Sequence, residues 1–214
     1  MASKYEHGAS KDRRREILDA ALACFAENGP EGVTIADVRA KSLASTGSIY
    51  HHFGDKVGLV GGVREIILNT YAQDLAEHVA GFPSAKALVK GTVHHFFEWI
   101  RANPNRARFL LNMTGPSHNG ARVDTPLSRL PHEPFEALAA EGELRPVSRD
   151  LLAPLVLGPS VALADKWAQD ATLPIDRDSV NILAVAAWRA LRPQAAGEKK
   201  PRRSDSQEKR KKRK

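Results

Sequence analysis

Apolar residues recur three and four positions apart along almost the whole chain, and no stretch alternates β-branched with polar residues at the period of a strand. That spacing predicts an all-α protein. A first helix is predicted over 12–28, with Ile17, Leu18, Ala21, Leu22 and Phe25 on one stripe, stopped at Gly29 with Pro30 beyond it. Thr34 stands before Ile35, with Asp37 three positions on, and so reads as a capping box opening a short helix to about Lys41. Ser45 is the next N-cap candidate, for a helix of under two turns over 46–52. Asp55 can cap a fourth, longer helix with Leu59, Val63, Ile66, Ile67, Tyr71 and Leu75 on its buried face.

Beyond Pro83 a helix is expected over 84–102, where Leu88, Thr92 and Phe96 form one ridge and Val89, Val93, Phe97 and Ile100 another. Two apolar ridges imply cover on several sides. Asn103-Pro104 breaks it, a short helix follows over 106–113, and the Gly/Pro/Ser/Asn-rich segment 115–126 reads as a loop. Helix resumes over 127–141, with interruptions expected at Pro131 and Pro134, and stops at Gly142. A long helical segment covers 148–169, where Gly158-Pro159 marks a kink. The last helix, 176–191, is apolar on most of its circumference through Val180, Ile182, Leu183, Val185, Ala186, Trp188 and Leu191. There is no internal repeat.

With 214 residues, 42% of them apolar, the chain can bury a real core as one large domain or two small ones. Cys24 is the only cysteine, which excludes an intramolecular disulfide framework or a cysteine-based zinc site and suits the cytoplasm. The start, MASKYEHGASKDRRRE, lacks the apolar core of a secretory signal, and the longest apolar runs are seven residues, so no membrane contact is expected. The net charge of +7 is carried entirely by 198–214, which holds ten Lys and Arg against three acids. Residues 1–197 carry 22 charges of each sign and sum to zero. DNA affinity in the folded part therefore depends on where charges are placed. A smaller basic cluster sits at Lys11, Arg13, Arg14 and Arg15.

Two short helices joined by a tight turn and preceded by a longer one have the lengths of a helix-turn-helix unit. In the second, S-T-G-S-I-Y-H-H-F, Ile49 and Phe53 can face the core while Thr46, Ser48, Tyr50 and His51 face out. Small side chains let such a helix approach base edges closely, and its hydroxyls can bond to bases or phosphates. The stretch T-I-A-D-V-R-A-K-S-L-A-S-T-G-S-I-Y-H-H-F-G-D-K over 34–56, preceded by A-A-L-A-C-F-A-E-N-G, resembles the DNA-binding region of the TetR family of transcriptional repressors.

The resemblance implies that Ser45 at the helix cap is among the DNA-binding residues, that Thr46, Gly47 and Ser48 approach bases, that Tyr50 and His51 contact bases or backbone, and that Thr34, His52 and Lys56 lie on phosphates. It implies a helix-turn-helix DNA-binding domain over 11–57 and a helical ligand-binding and dimerisation domain over 58–192, flanked by a disordered start (1–10) and a disordered basic tail (193–214). The expected partners are double-stranded operator DNA, a second copy of the chain and a largely apolar small-molecule effector. One departure stands out: the family usually has Gly in the turn between the two short helices, and this chain has Leu43.

Candidates for lining the effector pocket are His94, Phe97, Phe109, Met113, Phe135 and Trp167, all of which equally suit a core. Asn112, Thr114, Asp165 and His95 are further polar candidates. Gly58, Gly61 and Gly62 either allow close helix packing or leave a weak segment between the two domains. No metal site is expected, since His51-His52 and His94-His95 are adjacent pairs that diverge on a helix. GxSxG, GxxxxGK, HExxH and GxGxxG are all missing, so no catalytic residues and no cofactor are assigned and the chain is read as a non-enzyme. The alternative is an architectural DNA binder driven by the basic tail.

Overall fold

The computed structural model describes residues 2–112, 125–170 and 172–193, without the side chains of 2–9 and Asn112. Met113, Thr114, most of the expected loop and the tail from 194 on lie outside the described residues. The described elements are α1 (Ala2–Gly32), α2 (Ile35–Ser42), α3 (Thr46–Phe53), α4 (Lys56–Val79), α5 (Ala85–Ala102), α6 (Pro104–Asn112), a 3-10 turn (Pro126–Arg129), α7 (Glu133–Ala140), α8 (Arg149–Gln169) and α9 (Arg177–Leu191). The protein is all-α, with no strand among the described residues.

Local chemistry sets the helix boundaries. The α1 axis breaks at Gly29, which takes φ 68° and ψ 161°, and Pro30 lies in the short turn that follows. Thr34 and Asp37 close the capping box at the start of α2. Ser45 accepts from the Ser48 N–H at 3.0 Å to open α3, and Asp55 accepts from the Gly58 N–H at 2.7 Å to open α4. Two expectations need correction. α1, expected from residue 12, begins at Ala2 and takes in residues 2–11. They contain no proline, and extending a helix whose later turns are packed is far easier than starting one. Of the two interruptions expected in 127–141, the one at Pro131 is present between the 3-10 turn and α7, but Pro134 stands in the first turn of α7, where its missing N–H leaves no bond unmade.

Ile17, Leu18, Ala21 and Phe25 of α1 meet Val38 of α2, Ile49 of α3 and Leu59 and Val63 of α4 in the core. In the remainder, α5 is central, packed against α4, α6, α8 and α9. Both of its ridges are buried, and the Thr92 hydroxyl donates to the Leu88 carbonyl at 2.8 Å instead of being left unpaired. α1 also reaches α6, where the Phe25 and Phe109 rings stack with centroids 5.6 Å apart. α8 continues through Pro154 and Pro159, and it is long and apolar enough to cross a membrane despite its short apolar runs. Its buried flank packs on α5, α6 and α9, as in a core helix. α9 buries Val180, Ala184, Ala187 and Leu191, while Ile182 on its other apolar flank is 68% exposed.

The three glycines of α4 separate into distinct roles. A Cβ on Gly58 would stand 2.0 Å from the Phe53 carbonyl oxygen, and one on Gly62 would press on Leu18 and the Phe53 ring at 3.1 Å. Gly61 faces open space. Gly58 and Gly62 are thus packing glycines that let α4 close on α1 and α3. Gly58→Ala is expected to destabilise the fold by roughly 1–3 kcal/mol, while Gly61→Ala stabilises it by up to about 1 kcal/mol. Urea unfolding of the two variants checks this, and equal effects would return Gly58 to an ordinary helical position.

Candidate nucleic-acid interface

α3 is held by one deeply buried anchor, Ile49, at 1% exposure, with Phe53 half-buried a turn later. At 100° per residue this directs the other face outward. Thr46, Gly47 and His51 are exposed, Tyr50 is 49% exposed and Ser48 is half-buried. The result is a hydroxyl-bearing face of small residues with one phenol, covered by no element among the described residues.

The flanking positions are more committed. The Thr34 hydroxyl donates to Asp37 Oδ2 at 2.7 Å and accepts from the Asp37 N–H at 3.3 Å. The Thr34 hydroxyl first, and then the Thr34 N–H, which donates to the same Oδ2 at 2.8 Å, hold the Asp37 carboxyl below its usual range. Lys56 Nζ donates to the Glu31 carbonyl at 3.2 Å, tying α4 to the end of α1. The His52 ring is half-buried, and burial first, then His51 and Arg14, lowers its pKa. It therefore faces outward as a neutral hydrogen-bonding group at neutral pH.

The basic cluster ahead of the unit also divides. Arg13 pairs with Glu16 at 2.8 Å. The Arg14 guanidinium lies 5.4 Å from the centroid of the Phe53 ring, a cation–π contact that braces the end of α3 from α1. Lys41 pairs with Glu27 at 2.8 Å and does the same for α2. Neither link shows in the sequence, because each joins residues more than a dozen positions apart.

Leu43 caps α2 in the left-handed region at φ 54° and is 87% exposed. The turn therefore keeps the conformation that glycine adopts freely, at a cost on the order of 1 kcal/mol.

The expected effector-pocket residues are dispersed. Phe97 and Phe109 are buried, and Phe109 is engaged with Phe25 of α1. Phe135 lines a cavity of about 30 Å3 with Leu144, Leu152 and Leu191, far below the ~300 Å3 of a ligand pocket. Trp167 is half-buried under the Arg108 guanidinium, 5.0 Å from its ring centroid. His94 is half-buried and its pKa is lowered, mainly by burial and then by Lys90. His95, the further polar candidate one residue on, is 8% exposed, and its ring stacks on His78 at 4.4 Å, a pairing across two helices that spacing alone does not reveal. Burial first, then His78, lowers the His95 pKa against the smaller opposing pull of Asp74 and Glu98. No group of three or more His, Cys, Asp and Glu among the described residues is arranged to hold a metal.

Two outcomes follow from this geometry. Leu43→Gly should leave stability unchanged or raise it by up to about 1 kcal/mol, since relief of strain is partly offset by the greater freedom of glycine in the unfolded chain. Leu43→Val should lower it, as a β-branched residue suits positive φ worst; denaturant midpoints of both report the sign. His52, His94 and His95 all have folded pKa values below the ordinary 6.5. The unfolded chain therefore takes up protons first, so their contribution is complete above that pH and is lost as pH falls through it toward the folded values. The melting temperature should drop from pH 7.5 to 5.5, and His95→Gln should flatten the slope.

Comparison with known proteins agrees with this geometry. The family model for bacterial regulatory proteins of the tetR family matches residues 17–63, from the buried stripe of α1 to the first turns of α4. The HTH-type transcriptional regulator HbdR of Aromatoleum sp. (strain CIB) is 26% identical over 175 residues, covering 79% of this chain and 75% of that protein. The HTH-type transcriptional repressor AcnR of Corynebacterium glutamicum is 50% identical over 46 residues, which is 22% of this chain and 24% of that protein. Among solved structures, a TetR family regulator from Shewanella sp. PV-4 superposes with TM-score 0.65 at 19% identity, covering 85% of this chain and 99% of that one. FadR from Bacillus subtilis, in complex with stearoyl-CoA, gives TM-score 0.66 at 16% identity over 82% of this chain and 95% of that one. The outward-facing α3 on its three-helix support and the match across 17–63 identify this segment as a DNA-binding region of the tetR family type, and the chain as a whole shares the fold of, and is similar to, TetR family transcriptional regulators.

Proposed function

We propose that the protein is a ligand-responsive repressor that binds a two-fold operator as a homodimer and leaves it when a largely apolar small molecule binds. The observation that carries this reading is the uncovered face of α3, with Thr46, Gly47, Tyr50 and His51 exposed over a buried Ile49. A short helix of this kind offers few base contacts, so specific affinity calls for two copies on successive major grooves about 34 Å apart. The opposite end of the chain supplies a surface for pairing. Leu151 of α8 is 54% exposed and Ile182 of α9 is 68% exposed, beside an open groove of about 570 Å3 lined by Asn181, Ile182, Val185, Ala186 and Arg189. Pairing α8 and α9 with their copies would bury this face in a four-helix interface.

In this reading the DNA-binding domain spans 11–57, the sensing and dimerisation domain spans 58–192, and the protein works in the cytoplasm. α4 is the mechanical link, touching α1 and α3 with its first turns and α5 with its later ones. An effector acts only by favouring an α4 position that fits DNA poorly. The apolar interior around α5 and the fatty-acyl ligand in the FadR structure support an apolar effector.

The test is operator mapping on the DNA flanking the protein's own gene, with light scattering of the free protein at micromolar concentration. A dimer should protect a two-fold site, and Thr46→Ala or Tyr50→Ala should weaken it by about 1–3 kcal/mol per half-site while leaving non-specific binding intact. A monomer in solution, or binding that depends only on the basic segment 198–214, would replace this reading with that of a tail-driven architectural protein.

A further inference from the structure

Where α4 crosses α5, two polar atoms are buried without a hydrogen-bonding partner: the Tyr71 hydroxyl and His95 Nε2. Tyr71 is fully buried and His95 is 8% exposed. Buried polar groups in native proteins are almost always bonded, so two orphans on facing helices call for an explanation. Their surroundings are apolar and aromatic. Trp99 meets the Tyr71 ring edge-on at 5.1 Å, Phe96 does so at 6.3 Å, and His78 stacks on His95. A carboxylate stands at the edge of this crossing, Asp74, whose Oδ2 is 3.8 Å from His95 Nε2, too far for a hydrogen bond.

The chemistry of the two orphans is the same. Burial and the Asp74 charge push the Tyr71 pKa far up, so the phenol keeps its proton. The Asp74 carboxylate favours the His95 tautomer with the proton on Nε2. Both groups are therefore donors, and both lack an acceptor. An anionic acceptor is disfavoured by Asp74 and by Glu98, the second acidic group acting on His95. An uncharged oxygen on an apolar or aromatic body suits the seam.

We infer that the α4–α5 seam at Tyr71 and His95 binds the carbonyl oxygen of an uncharged, largely apolar effector, with Asp74 rejecting carboxylates. This rests on the ligand-responsive reading above and names the group that reading leaves open. A molecule seated there separates α4 from α5. The first turns of α4 are closed on Leu18 and Phe53 through Gly62, so a shift of α4 at the seam is transmitted to α3.

The experiment uses the full chain and three probes: acetophenone, its isostere α-methylstyrene in which CH2 replaces the carbonyl oxygen, and benzoate. Acetophenone should raise the melting temperature, and α-methylstyrene and benzoate should do so much less. Tyr71→Phe should leave the ligand-free melting temperature equal or higher, because it removes an unpaired group, and should weaken acetophenone binding roughly tenfold, the size of one lost hydrogen bond. Asp74→Asn, at a half-exposed position, should admit benzoate. Three results would each overturn the inference: no response of the native protein to acetophenone, an equal response to α-methylstyrene, or a Tyr71→Phe protein several degrees less stable without ligand. Operator mapping is read separately, so a seam that binds acetophenone in a protein selecting no operator would sink the repressor reading and spare the seam.

Discussion

Phe53 is the joint on which the arrangement depends. Its ring packs against Gly62 of α4 and lies beneath the Arg14 guanidinium of α1, while its carbonyl stands where a side chain on Gly58 would be. Three helices converge on this last residue of the recognition helix. α3 is only eight residues long and could not hold its own conformation in water. Its direction is set by that joint and by Ile49, and so is the angle at which Thr46 and Tyr50 are presented.

The same joint connects recognition to the rest of the molecule. α4 runs without interruption from Lys56, hydrogen-bonded to Glu31, to the Tyr71–His95 seam and on to Val79. A second tie runs through the stacked Phe25 and Phe109 rings. Close-packed contacts of this kind do not deform continuously, so a change at one end of α4 is carried to the other as a shift of the helix. In the proposed function such a shift is how an effector would act on α3, and the seam offers a place for it to begin.

Much was legible because it is local. Thr34, Ser45 and Asp55 act on backbone groups within a turn of themselves, and capping follows from residue type and spacing alone. The outward face of α3 follows from helical geometry around Ile49. The pocket residues were less legible for a related reason: Phe97, Phe109 and Phe135 are apolar at helical spacing, and spacing does not distinguish a wall of a cavity from a core. The stacking of Phe109 on Phe25 was not legible, because Phe25 lies in a different helix far away in sequence.

The amino-acid order alone determined the helices, their caps, the all-α class and the face of residues 46–52 turned to solvent, since each depends on hydrogen bonds and side-chain directions within four positions. Only the tertiary structure decided that Gly58 and Gly62 are contacts and Gly61 is not, that Leu43 is held in a left-handed turn, that Ile182 is left uncovered, and that Tyr71 and His95 are buried without partners. Those outcomes depend on which helices meet and how closely. That is fixed by the packing of surfaces from distant parts of the chain, and no local pattern encodes it.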